Sequence, residues 1–113
     1  MKIGDLRPIV KTHVRFALSE RRKVPTSAGC YVLTAFDHTV LYVGLTNNLT
    51  RRFSEHCDTE SKREPTPYGR AFWFFFETLD EKQINRHERG WINQYSAQYG
   101  SLPPLNKIAS PVS

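Results

Sequence analysis

Apolar residues along this chain recur with two different periods, and the changes of period divide it into elements. Val10, Val14 and Leu18 fall every fourth residue behind Asp5, a cap residue, and Pro8, suited to an opening turn. The spacing predicts a helix over 6–20, ended by Arg21-Arg22-Lys23 and Pro25. Residues 30–36 and 40–43 are rich in β-branched and aromatic side chains and are separated by Asp37-His38-Thr39, the pattern of a hairpin. After Asn47-Asn48, Leu49, Phe53, His56 and Cys57 return to helical spacing, predicting a helix over 48–57. Residues 58–70 carry Pro65, Pro67, Gly69 and several charges, and read as an exposed loop. The aromatic run at 71–76 is too short for a helix and predicts a third strand buried on both faces. Thr78 and Glu81 match a capping box, opening a helix that runs to Gly100 before Pro103 and Pro104 forbid its continuation.

The order helix, strand, strand, helix, strand, long helix describes a small α/β domain, a three-stranded, mostly antiparallel sheet flanked by helices. With 113 residues, 39% hydrophobic and 12% aromatic, the chain has material for one core and not two. A single domain over 1–113 is therefore expected. No stretch is apolar enough to span a bilayer, and the start lacks a secretory pattern, so a soluble, cytoplasmic protein without membrane partners is expected. Cys30 and Cys57 are too few for a disulfide framework and lack zinc-site spacing, so they read as packed, reduced thiols.

Chemistry enters with the polar residues that break these patterns. Glu88 occupies a position in the apolar stripe of the last helix, between Ile84 and Trp91 and in line with Tyr95 and Tyr99. A carboxylate there must be compensated, by an ion pair with a neighbouring arginine or by a metal. Arg52 and His56 lie one turn apart beside the buried Leu49, Phe53 and Cys57, so a permanent cation and a titratable ring share one edge of a helix. Arg51 is turned about 100° from Arg52, so only one of the two faces a cleft, and Arg52 is the expected one. Sixteen Lys and Arg against eleven Asp and Glu, a formal charge of +5, lean towards a polyanionic partner. Arg51, with Lys62, Arg63 and Arg70 of the loop, are the expected contacts to phosphates.

Gly29-Cys30-Tyr31, followed eleven positions after its tyrosine by Tyr42-Val43-Gly44, resembles the paired signature of the GIY-YIG nuclease family. The other candidates follow in that family's order: Arg52, His56, Glu88 and, near the end, Asn106. The resemblance spans 29–106 and leaves the amino-terminal helix outside. Cys30 departs from the usual aliphatic residue, and Leu45 follows Gly44 where some members carry a lysine. The resemblance implies metal-dependent hydrolysis of DNA phosphodiester bonds. Glu88 would hold one divalent cation, magnesium or else manganese, and Arg52 would share the phosphate charge. Tyr31 would take the proton from water with His56 in support, Tyr42 would orient phosphate or water, and Asn106 would brace the metal site or Glu88. A non-cutting module that binds nucleic acid on the same fold is the rival reading. RNA remains open as a substrate, and a partner protein or homodimer is a possible source of specificity.

A geometric condition follows from assigning both signature tyrosines to one site. Side chains alternate faces along a strand, so Tyr31 and Tyr42 share a face only if the hairpin loop is even or a bulge shifts the phase.

Overall fold

The computed structural model describes residues 1–106. Its sheet has four strands, β1 (His13–Arg15), β2 (Gly29–Thr34), β3 (Val40–Thr46) and β4 (Trp73–Thr78), in the spatial order β1-β4-β2-β3, with every pairing antiparallel. Two helices, α1 (Leu49–Cys57) and α2 (Ile84–Tyr99), cover opposite faces. On the α1 side, Leu49 and Phe53 pack with Tyr31, Leu33, Phe74, Phe76 and Leu105. On the α2 side, Ile84, Trp91 and Tyr95 pack with Cys30, Val32, Val43, Phe75 and the amino-terminal Ile3, Leu6 and Val10.

The extra strand corrects the sequence reading. Residues 6–20 form no helix: the chain is extended through His13–Arg15, which pairs with β4, and then makes a short 3-10 turn over Leu18–Lys23. Val10 and Val14 are indeed buried, but in separate cores: Val10 packs on the α2 side of the sheet and Val14 on the α1 side, so they form no single stripe. Leu18, the third member of the apparent stripe, is 48% exposed. The segment instead supplies backbone partners to the edge of β4, through Phe76 N–H to the Thr12 carbonyl at 3.0 Å and Phe16 N–H to the Phe72 carbonyl at 2.7 Å.

α1 begins where expected because the Asn48 side chain accepts a hydrogen bond from the Arg51 N–H, replacing a partner the first helical turn lacks. α2 does not begin at a Thr78–Glu81 capping box. Thr78 ends β4, paired with Gly29, and is therefore committed to the ladder. Asp80 makes the turn instead, accepting from the Lys82 N–H through its side chain and from the Gln83 N–H through its carbonyl. The far end is as expected: Gly100 adopts φ 70°, a left-handed conformation that costs glycine little, and its N–H reaches the Ser96 carbonyl at 2.7 Å.

The hairpin joining β2 to β3 meets the geometric condition by a bulge. Thr34 pairs with Val40 across an odd loop, yet Leu33 pairs with Tyr42, so one extra residue, Leu41, enters β3 and restores the phase. Tyr31 and Tyr42 consequently lie on the same face, with ring centroids 5.9 Å apart. No helix among the described residues is long and apolar enough to cross a membrane.

Candidate active site

The two signature glycines have separate steric reasons. A side chain at Gly29 would place a Cβ 2.1 Å from the Glu77 carbonyl oxygen of β4, so the central strands approach there only without one. Gly44 lies directly across from Tyr31 in the ladder, and a Cβ on it would stand 2.5 Å from the Tyr31 Cζ and Oη and 2.8 Å from Tyr42 Cε1. The absent side chain is the space in which the two phenols meet. Gly44→Ala is therefore expected to push both rings aside, costing about 1–3 kcal/mol of stability by overpacking. It should also lower any activity of the site by roughly 100-fold through misplacement. Gly90→Ala, in a helical position whose Cβ meets nothing within 4 Å, should stabilise by about 0.5–1 kcal/mol. Thermal unfolding and rates measured side by side on the two variants check this.

Tyr31 is 1% exposed, stacked on Phe74, with its hydroxyl 2.6 Å from His56 Nε2. Burial raises the Tyr31 phenol well above its usual range. His56, delivered by the last turn of α1, is pushed down to about 3 by burial and then by the nearby Lys62 and Arg52 charges. Both groups are therefore neutral near pH 7 and share one hydrogen bond, in which the tautomer of the His56 ring sets the donor. The Tyr31 side chain is sealed from solvent, whereas Tyr42 is only half-buried. Burial raises Tyr42 too, opposed by the Tyr31 hydroxyl and by the Arg52 charge.

Arg52 is half-buried, and its Nε has no hydrogen-bond partner, lying 3.6 Å from Glu55 Oε1. Arg51 points away, half exposed, donating to Asn47 Oδ1 at 2.7 Å. Glu88 approaches from α2 on the other side of the sheet, close enough for its charge to act on both tyrosines. Burial raises its carboxyl, with Arg89 acting in the opposite direction. Its neighbour Cys30 donates to the Ile84 carbonyl at 3.2 Å; burial and then Glu88 push that thiol up to about 12, consistent with a packed, unreactive role.

Asn106 does not join this cluster. Its Oδ1 accepts from the Val43 N–H and its Nδ2 donates to the Val43 carbonyl, both at 2.9 Å, so the amide serves as a strand partner for the edge strand β3. It fastens the backbone between Tyr42 and Gly44, and both ends of its amide are taken up there rather than by Glu88. Arg63 and Arg70 are exposed, as expected of the loop, but Lys62 is not. It is 9% exposed, turned inward, with its ammonium 4.4 Å from the centre of the Tyr42 ring. The pattern of residues 58–70 held no sign of this, because the short 3-10 turn Glu60–Lys62 that aims it has no apolar periodicity.

Among the described residues no three His, Cys, Asp or Glu side chains gather into a cage for a metal. Magnesium does not require one, since it commonly keeps most of its waters and takes one or two carboxylates together with phosphate oxygens. Glu88 suits that mode: its carboxylate is partly desolvated and has no ion-pair partner among the described residues.

Two comparisons with known proteins bear on this arrangement. The family model described as the GIY-YIG catalytic domain matches residues 27–100. No curated protein matches the chain significantly.

Proposed function

The chain belongs to the GIY-YIG family of nucleases, and from that premise we propose that it is a metal-dependent endonuclease that hydrolyses DNA phosphodiester bonds. The observation that supports this reading is the setting of the half-buried Tyr42 phenol: His56 of α1 in ring contact at 5.4 Å, and Arg52 of α1 and Glu88 of α2 near enough for their charges to act on it. Such a set matches the demands of the reaction, which are to activate water, to stabilise charge developing on the phosphoryl oxygens and to assist the departing oxygen.

Glu88 would hold the divalent cation, which when bound supplies Lewis-acid stabilisation of the phosphoryl and leaving oxygens. Arg52 takes charge on a non-bridging oxygen; its Nε has no hydrogen-bond partner, and its ion pair with Glu55 is a long 3.6 Å. Tyr42 accepts the proton of the attacking water. An ordinary phenol is a weak base at neutral pH, so its anion must be favoured, and Arg52 together with the Tyr31 hydroxyl acts in that direction. Tyr31 is held for this task by its hydrogen bond to His56. A histidine already charged would repel the two neighbouring cations. Burial keeps it neutral.

The test is incubation of the full chain with supercoiled plasmid in the presence of magnesium, manganese or chelator. Nicked or linear product that chelator abolishes is the expected result. Tight binding with no product under any metal would replace this reading by that of a non-cutting nucleic-acid-binding module. Single-stranded RNA in a parallel reaction decides between the two polymers.

The two adjacent arginines separate chemistry from binding. Arg52→Ala should lower the single-turnover rate at saturating DNA by about 100- to 1,000-fold, the usual loss for one charge-stabilising donor. Arg51→Ala should leave that rate intact and reduce the slope of log affinity against log salt by about one. Equal rate losses would sink the division.

A further inference from the structure

Lysine is seldom buried without a carboxylate, because its ammonium gives up strong hydration. Lys62 is buried and has no ion-pair partner among the described residues; it shares its surroundings with another cation, Arg52, whose charge acts on it. The Tyr42 ring beneath it compensates part of that cost through its negative face. His56, next to both, is held neutral and offers no negative charge.

The placement is built into the backbone. Thr59 takes the His56 carbonyl with its N–H at 3.2 Å and the Glu55 carbonyl with its hydroxyl at 2.6 Å; the Lys62 N–H then donates back to the Thr59 carbonyl at 3.1 Å. The end of α1 thus anchors the turn that swings Lys62 inward, while Arg63 and Glu64 remain exposed. Lys62 over the Tyr42 ring, without an ion-pair partner among the described residues and beside Arg52, whose contact with Glu55 is a long 3.6 Å, leaves positive charge that an oxyanion there would neutralise.

We propose that Lys62 is a further catalytic residue, whose ammonium binds a non-bridging oxygen of the phosphate to be cut, opposite Arg52 and across the Tyr42 ring. This rests on the nuclease reading above. It places Lys62 in contact with the reacting group rather than among the outer loop contacts with Arg63 and Arg70. The cation serves the phosphate in two ways: it shares the developing charge, and it fixes the phosphorus above the phenol that receives the proton from water.

A structural role alone, in which the lysine stem pins the loop to Tyr42, predicts different behaviour in two variants. Lys62→Met keeps the stem and removes the charge, and Lys62→Arg keeps a charge. The first readout is independent of cleavage: inorganic phosphate is titrated into the full chain while the His56 ring nitrogens are followed by NMR. Phosphate should shift these resonances in the wild-type protein and in Lys62→Arg, and much less in Lys62→Met. The second is the single-turnover rate at saturating DNA, expected to fall about 100-fold in Lys62→Met and to be largely recovered in Lys62→Arg, with unchanged thermal midpoints. No phosphate response in the wild-type protein, an equal response in Lys62→Met, or a wild-type cutting rate in Lys62→Met overturns the proposal. A wild-type protein that does not cut refutes the nuclease reading by itself, and the phosphate titration still decides whether Lys62 forms an oxyanion site.

Discussion

Glu88→Gln is expected to reduce metal-dependent cleavage by at least about 1,000-fold while binding to duplex DNA survives. The substitution keeps the shape of the side chain and removes the charge that would fix the cation, so the loss falls on the several kcal/mol a metal contributes to the transition state. The same change should leave the thermal midpoint unaltered or raise it. Glu88 sits partly desolvated, its carboxyl raised by burial and without an ion-pair partner among the described residues, so the folded protein bears a cost that a neutral amide relieves. A carboxylate kept only to pair with Arg89 or another cation would behave oppositely, and its removal would destabilise the fold. Calorimetry and plasmid cleavage on the one variant therefore distinguish a functional carboxylate from a structural one. Retained cleavage with magnesium would end the metal assignment.

The elements that were legible in the sequence are those whose hydrophobic period has one interpretation. β2 and β3, with their β-branched and aromatic content, and α1, with its Asn48 cap, are placed nearly as the pattern predicts. Residues 6–20 differ because Val10 and Val14, four residues apart, enter the cores on opposite faces of the sheet, and what decides that is not local. β4 offers an open edge that this segment fills, and an unpaired strand edge counts for more than helix propensity. Thr78 failed as a cap for a similar reason, since its backbone is needed opposite Gly29.

The site divides in the same way. Tyr31, Tyr42, Arg52, His56 and Glu88 are singled out by residue type, helical spacing and the signature, and the bulge at Leu41 could be anticipated because a shared role requires both tyrosines on one face. The order of burial could not. That Tyr31 lies sealed behind Tyr42 depends on Phe74, His56 and the gap at Gly44, which come from three separate elements. The engagement of Asn106 by Val43 and the inward turn of Lys62 depend likewise on long-range packing.

This order of burial gives the two tyrosines opposite expected phenotypes. Tyr42→Phe removes the half-buried phenol proposed as the base and leaves its ring in place, so cleavage should fall by about 100- to 10,000-fold, the span usual for loss of a general base. Its stability should hardly change, because the ring stays in place and the Lys62 ammonium retains an aromatic face. Tyr31→Phe should instead lower stability by roughly 1–3 kcal/mol, since it leaves His56 Nε2 buried at 2.6 Å from a hydroxyl that no longer exists. Cleavage should fall as well, but through displacement of Tyr42. The discriminating protein is the double variant Tyr31→Phe/His56→Leu. Replacing both members of a buried hydrogen bond by apolar groups removes the unsatisfied nitrogen, so much of the stability should return while cleavage does not. If Tyr31→Phe proved as stable as the wild-type protein and Tyr42→Phe still cut at the wild-type rate, the sealed tyrosine would be the one in contact with the reaction, and the cleft would have to open to admit water to it.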